Sequence, residues 1–172
     1  MAKADLLTIE SGISSLDLMF NAGKKVFNNL PVQRGKRALF ICGPGNNGGD
    51  GYVAADLLLK QGMEIDIYCP ISKAKESNDN LYYKQKLNKS LFVSKIRSLS
   101  NYCYVVDALF GTGLSRTMSN DLSSLVSKIN QSKLDVFSVD IPSGINGDTS
   151  AVLGEAFKAS KTITFFLSLI HI

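Results

Sequence analysis

Nine residues in the first third of the chain, Gly43-Pro44-Gly45-Asn46-Asn47-Gly48-Gly49-Asp50-Gly51, carry five glycines. An unbroken apolar run, 38–42, precedes them, and an amphipathic stretch, 52–61, follows. That succession reads as strand, loop and helix, the arrangement that aims backbone N–H groups at an anion. Glycine at this density lets the backbone take positive φ and lets a ligand come close, at an entropy cost that a plain connection has no reason to carry. A phosphate-bearing ligand is the expectation.

Two well-known nucleotide loops can be compared with it. A P-loop needs Lys-Ser or Lys-Thr where the helix begins, and Asp50-Gly51 stands there instead. The spacing Gly43-x-Gly45-x-x-Gly48 matches the dinucleotide fingerprint, which also requires an acidic residue closing the next strand. Here that strand closes with Tyr68-Cys69-Pro70. A redox enzyme of Rossmann type is therefore the second reading and a P-loop NTPase is set aside.

The rest of the chain keeps the same alternation. Ser14-Ser15-Leu16-Asp17 has capping-box form and opens a helix that runs to Leu30 and stops at Pro31. Strands are expected at 38–42, 64–69, 102–108, 135–140 and 161–166, with a short one at 91–93. Helices are expected at 52–61, ending at Gly62, at 121–130, and from Asn78 or Asp79 to about residue 89. Continuous apolarity in 38–42 fits a parallel strand covered on both faces. The fold class is α/β: a three-layer, Rossmann-like, mostly parallel sheet with helices on both faces.

At 172 residues the chain suits one domain. Its apolar runs are too short to span a bilayer, and Met1-Ala2-Lys3-Ala4-Asp5 lacks the apolar core of a secretion signal. A cytoplasmic, or alternatively mitochondrial, protein is expected, with no membrane partner. Cys42, Cys69 and Cys103 form no C-x-x-C pair and read as three buried free thiols. Much of the net charge of +4 comes from Lys73, Lys75, Lys84, Lys86, Lys89, Lys95 and Arg97, a solvated face. Only Tyr82 and Tyr83 interleave with it, too few aromatics for a nucleic-acid platform.

In an open α/β sheet, ligands bind beyond the carboxyl ends of the strands. Asp107 closes one expected strand and Asp140 the next, each leading into a loop of Gly, Pro, Ser and Thr; Asn46, Asn47 and Asp50 follow the first. Asn47, Asp107 and Ser143 offer only hard oxygen donors, which suit an alkali or alkaline-earth ion, a monovalent one in particular since one carboxylate supplies little charge. Thr112, Ser115 and Arg116 add hydroxyls and a guanidinium fork suited to phosphate.

Taken in order, the segments Gly43 to Gly51, Val106-Asp107-Ala108-Leu109-Phe110-Gly111-Thr112-Gly113-Leu114 and Val139-Asp140-Ile141-Pro142-Ser143-Gly144-Ile145-Asn146-Gly147-Asp148-Thr149 closely resemble the YjeF N-terminal family, the NAD(P)H-hydrate epimerases. Gly12-Ile13-Ser14-Ser15-Leu16, Leu18-Met19 and Asn21-Ala22-Gly23 match as well, so the likeness covers about residues 12–166. It implies an isomerase that interconverts the R and S forms of hydrated NADH or NADPH in nicotinamide nucleotide repair, with a companion dehydratase consuming the S form. It places substrate contacts at Asn46, Asn47, Gly48, Gly49 and Asp50, at Gly111, Thr112, Gly113, Leu114, Ser115, Arg116 and Thr117, and at Asp140. It makes Asp140 the catalytic acid or base, puts potassium (K+) on Asn47, Asp107 and Ser143, and implies a homodimer. A non-catalytic dimerising or RNA-associated scaffold of the same fold is the alternative from another class.

Two departures stand out. Phe20 replaces the glutamate usual in the family's Leu-Met-Glu-Asn-Ala-Gly segment. Residues 167–172, with the chain's one histidine at His171, do not resemble the strand and helix with which relatives continue. The expectation is a family domain over 1–166 and an atypical tail, from a shortened or mis-assembled end.

Overall fold

A computed structural model describes residues 14–71 and 74–165. Strand β1 (Arg37–Cys42) is buried from its second residue onward, and its side chains divide between two cores. Ala38, Phe40 and Cys42 join one and Leu39 and Ile41 the other, as an apolar run without alternation requires. On its flanks lie β2 (Glu64–Tyr68) and β3 (Tyr104–Ala108), followed by β4 (Val136–Val139) and β5 (Lys161–Ile163). All four pairings are parallel, and the strand order is β2-β1-β3-β4-β5. The α/β sheet expected from the sequence is thus present, with its topological switch point between β1 and β3.

Helix α1 (Ser15–Asn28) starts where the capping pattern places it: Ser14 Oγ accepts from the Asp17 amide at 3.1 Å. It lies on α2 (Asn46–Lys60), where Gly23 leaves room for the side chain of Val53. Helix α2 covers one face of the sheet. It ends in a Schellman turn, in which Gly62 (φ +86°) donates to Leu59 O at 2.9 Å and Met63 to Leu58 O at 3.2 Å. Helix α3 (Asn78–Lys86) packs on α2, and α4 (Asn120–Gln131) covers the opposite face through Val126 and Ile129. Among the described residues no helix is long and apolar enough to cross a membrane.

Several expectations change. Helix α2 begins at Asn46, inside the segment expected to be loop, and α3 is capped by Ser77, not by Asn78 or Asp79. The strand expected at 91–93 is a 3₁₀ turn (Lys89–Leu91) followed by a single bridge from Phe92 to Ile67. Only Cys42 is fully buried; Cys69 and Cys103 are half-buried.

Polar alternation in β2 would turn Asp66 to solvent, yet it is buried. Arg37 Nη1 (2.8 Å), Arg97 Nε (2.9 Å) and Tyr102 Oη (2.9 Å) donate to its carboxylate, so a charge is tolerated inside because it is fully hydrogen-bonded. Burial and the bond to Asp66 push the Tyr102 phenol up to about 12. Arg97, exposed as expected, therefore also belongs to a network. Lys84 pairs with Glu76, and Lys86 lies 4.1 Å from the Tyr82 ring centroid. The tail at 167–172, with His171, lies outside the described residues.

Candidate functional site

Three loops leave the carboxyl ends of β1, β3 and β4 and meet at the switch point. After β1, none of the five glycines has positive φ, contrary to the expectation that the turn needed it. Four of them, Gly43, Gly48, Gly49 and Gly51, are required for close approach. A Cβ on Gly43 would overlap the carbonyl oxygen of Leu109, one on Gly48 that of Gly43, and one on Gly51 would stand 2.7 Å from Ala108 Cβ. Gly49 faces the sulfur of Met19. The first turn of α2 is drawn against the β1 and β3 loops, which explains why a segment of poor helix formers is helical from Asn46 on.

The segment is held from outside by α3. Asn80, fully buried, donates from Nδ2 to Gly43 O (3.1 Å) and Gly45 O (2.7 Å). Ser77 donates from Oγ to Asn46 Oδ1 at 2.8 Å. Neither residue sits in a motif, so the sequence reading missed both. Replacing Asn80 by Leu removes both donors, and a loss of about 1–3 kcal/mol in urea denaturation is expected.

Asp107, at the end of β3, is completely buried beneath the loops. Its carboxylate accepts from Ser143 Oγ (2.6 Å), Ser143 N (2.8 Å), Ser138 Oγ (2.8 Å) and Leu109 N (3.3 Å). No lysine or arginine pairs with it among the described residues. Burial pushes its carboxyl up to about 6, a rise that these hydrogen bonds oppose. Ser143 Oγ also accepts from Phe110 N at 2.8 Å, so the β3 and β4 loops share one anchor.

Asp140 follows β4 with φ +67°, and Ile141 N donates back to Val139 O at 2.9 Å. Positive φ spanned by a bond two residues on describes a γ-turn, a strained shape that persists where surrounding structure enforces it. Its Oδ2 accepts from Thr112 N at 3.1 Å. A Cβ on Gly111 would lie 2.8 Å from that oxygen and 3.6 Å from Asn47 Oδ1, so Gly111 is where these two side chains close in. Asn47 Nδ2 is buried with no hydrogen-bond partner among the described residues.

The loops enclose a cavity of about 420 Å³. Asn46, Asn47, Asp50, Gly111, Thr112, Gly113, Leu114 and Asp140 line it, together with Pro44, Leu109, Phe110 and Phe165, which the sequence reading had not singled out. Gly48 and Gly49 do not line it, because both are packed inside α2 and their N–H groups donate to Gly45 O (3.1 and 3.4 Å). Ser115, Arg116 and Thr117 are exposed and lie outside it; Arg116 and Thr117 line a neighbouring cavity. Asp107 and Ser143 sit below it. Phe20 is partly exposed on α1, away from the lining.

Comparison with known proteins agrees with this architecture. The family model described as YjeF-related protein N-terminus matches residues 15–170. An NAD(P)H-hydrate epimerase of Lentilactobacillus buchneri is 38% identical over 160 residues, covering 89% of this chain and 74% of that protein. A bifunctional NAD(P)H-hydrate repair enzyme of Thermofilum pendens is 39% identical over 174 residues, covering 91% of this chain and 32% of the larger protein. The crystal structure of yeast YNL200c superposes with a TM-score of 0.71 at 26% identity, covering 89% of this chain and 71% of that one. With the matching segments lying on the loops that close one cavity, the chain belongs to the YjeF N-terminal family.

Proposed function

We propose that this protein is an isomerase that interconverts the R and S forms of hydrated NADH and NADPH. One observation carries the reading: a carboxylate, Asp140, is held on a strained γ-turn in the wall of a cavity that also presents Asn46, Asn47, Asp50, Thr112 and the glycine backbone of the β3 loop. The names of the Lentilactobacillus and Thermofilum relatives support it.

Epimerisation at the hydroxyl-bearing ring carbon requires the C–O bond to break and re-form on the other face. Asp140 as general acid gives its proton to the departing oxygen, which leaves as water, while the ring nitrogen's lone pair supports the planar cation. Water then adds to the opposite face and returns the proton to Asp140. Atoms and charge balance without an oxidant. Thr112 N orients the carboxylate throughout.

Asn47, Asp107 and Ser143 would hold a potassium ion. The fit rests on an oxygen-only donor set, a buried carboxylate with no cationic partner among the described residues, and an unpartnered Asn47 amide whose two ends are interchangeable by a flip. When bound, the ion would supply the positive charge that Asp107 otherwise lacks. A homodimer, a cytoplasmic location and a dehydratase acting on the S form complete the proposal.

The scaffold alternative sits poorly with three loops that all retain polar side chains. The redox alternative needs a free acid at the end of β2, which closes with Tyr68; the acid in mid-strand, Asp66, is bound to two arginines and a tyrosine. A proton NMR time course of one pure hydrate epimer with the protein separates all three. Scrambling of the epimer is the expected result; an unchanged spectrum would favour the scaffold, and a change of oxidation state the dehydrogenase.

A further inference from the structure

A second cavity of about 640 Å³ adjoins the first, and Pro44, Phe110 and Leu114 stand in the walls of both. The first cavity, at about 420 Å³, lies in the lower part of the range of about 300–1,000 Å³ that drug-sized ligands take, so a substrate as long as a dinucleotide extends beyond it. Resting on the dinucleotide reading above, we infer that the second cavity receives the adenosine monophosphate end of the substrate.

Its chemistry suits that end. Tyr68, Ile71, Leu122 and Leu125 give it the apolar and aromatic walls against which a purine packs. Arg116 stands at the cavity with no ion-pair partner among the described residues, and its fork matches a phosphate. Asp121, also in the wall, is the one adverse charge for a phosphate, and it suits the exocyclic amine of adenine as an acceptor. The loop after β3 therefore has two halves. Gly111 to Gly113 face the reacting carbon's cavity and Arg116 and Thr117 the adjoining one, with Leu114 reaching both.

The test uses adenosine 5′-monophosphate alone, titrated calorimetrically into the whole protein. Saturable binding is expected in the wild type and in Asp140→Asn, whose changed side chain lies outside the second cavity. Arg116→Ala, an exposed and structurally mild change, should weaken it about tenfold or more through loss of charge-assisted hydrogen bonds. Leu122→Trp should weaken it by filling the pocket, with circular dichroism confirming the fold. No binding at millimolar nucleotide, or equal affinity in wild type and Arg116→Ala, overturns the assignment. Because this titration needs no turnover, its failure is distinguishable from a failure of the epimerase reading, which the hydrate time course tests.

Discussion

An Asp140→Asn variant is expected to fold and bind the hydrated dinucleotide within a few-fold of the wild type, and to epimerise it about 10²–10⁴ times more slowly, the range that general acid–base catalysis contributes. The amide keeps the size of the carboxylate and an oxygen able to accept from Thr112 N. Asparagine tolerates φ +67° at least as readily as aspartate, so the γ-turn survives. What the amide cannot do is carry a proton to the leaving oxygen and take it back. Chromatographic separation of the R and S epimers over time, at saturating substrate, gives the rate, and thermal denaturation checks the fold. Turnover near the wild-type rate would remove Asp140 from the chemistry.

Gly48→Ala is expected to be among the most damaging single-methyl changes in the site, costing about 3 kcal/mol or more, at or above the upper end of overpacking costs. The added methyl would overlap Gly43 O and lie 2.8 Å from Asn80 Nδ2, and neither is the free end of a flexible chain. Gly45→Ala makes the control, since a Cβ there meets nothing within 4 Å. Urea denaturation of the pair should show a large drop in midpoint for the first and a small change for the second. Similar midpoints would mean that the close approach of α2 to the β1 loop is not what these glycines serve.

How legible the molecule was depended on which physical signal dominated locally. The unbroken apolarity of 38–42 marked a two-faced strand, and the segments around Asp107 and Asp140 marked the ends of two more, because burial on both faces leaves a strong trace in composition. The start of α2 was hidden. Asn46, Asn47, Gly48 and Gly49 have low helix propensity, and tertiary packing against the β1 and β3 loops overrides it. Asp66 shows the limit of alternation, which reports which face a side chain takes, not whether Arg37, Arg97 and Tyr102 come to meet it from distant parts of the chain.

The two strand-end aspartates make the same point about the site. Residue type and position treat Asp107 and Asp140 alike, yet one lies sealed beneath the loops and the other borders the cavity. The difference comes from the γ-turn that reverses the chain at Asp140, and that turn appears only with the backbone angles. Asn80 left no trace at all, since its role depends on the proximity of two carbonyls more than thirty residues earlier.

The bonds to Asp107 also set an order of assembly. Its two side-chain donors, Ser138 and Ser143, stand 31 and 36 positions later in the chain, so in a nascent polypeptide Asp107 depends on water in their place until β4 and its following turn have been synthesised and docked. Contacts of such long sequence separation form slowly. The pocket is therefore completed late in folding, and a ribosome-stalled fragment ending before Ser138 would display the glycine segment without the floor beneath it.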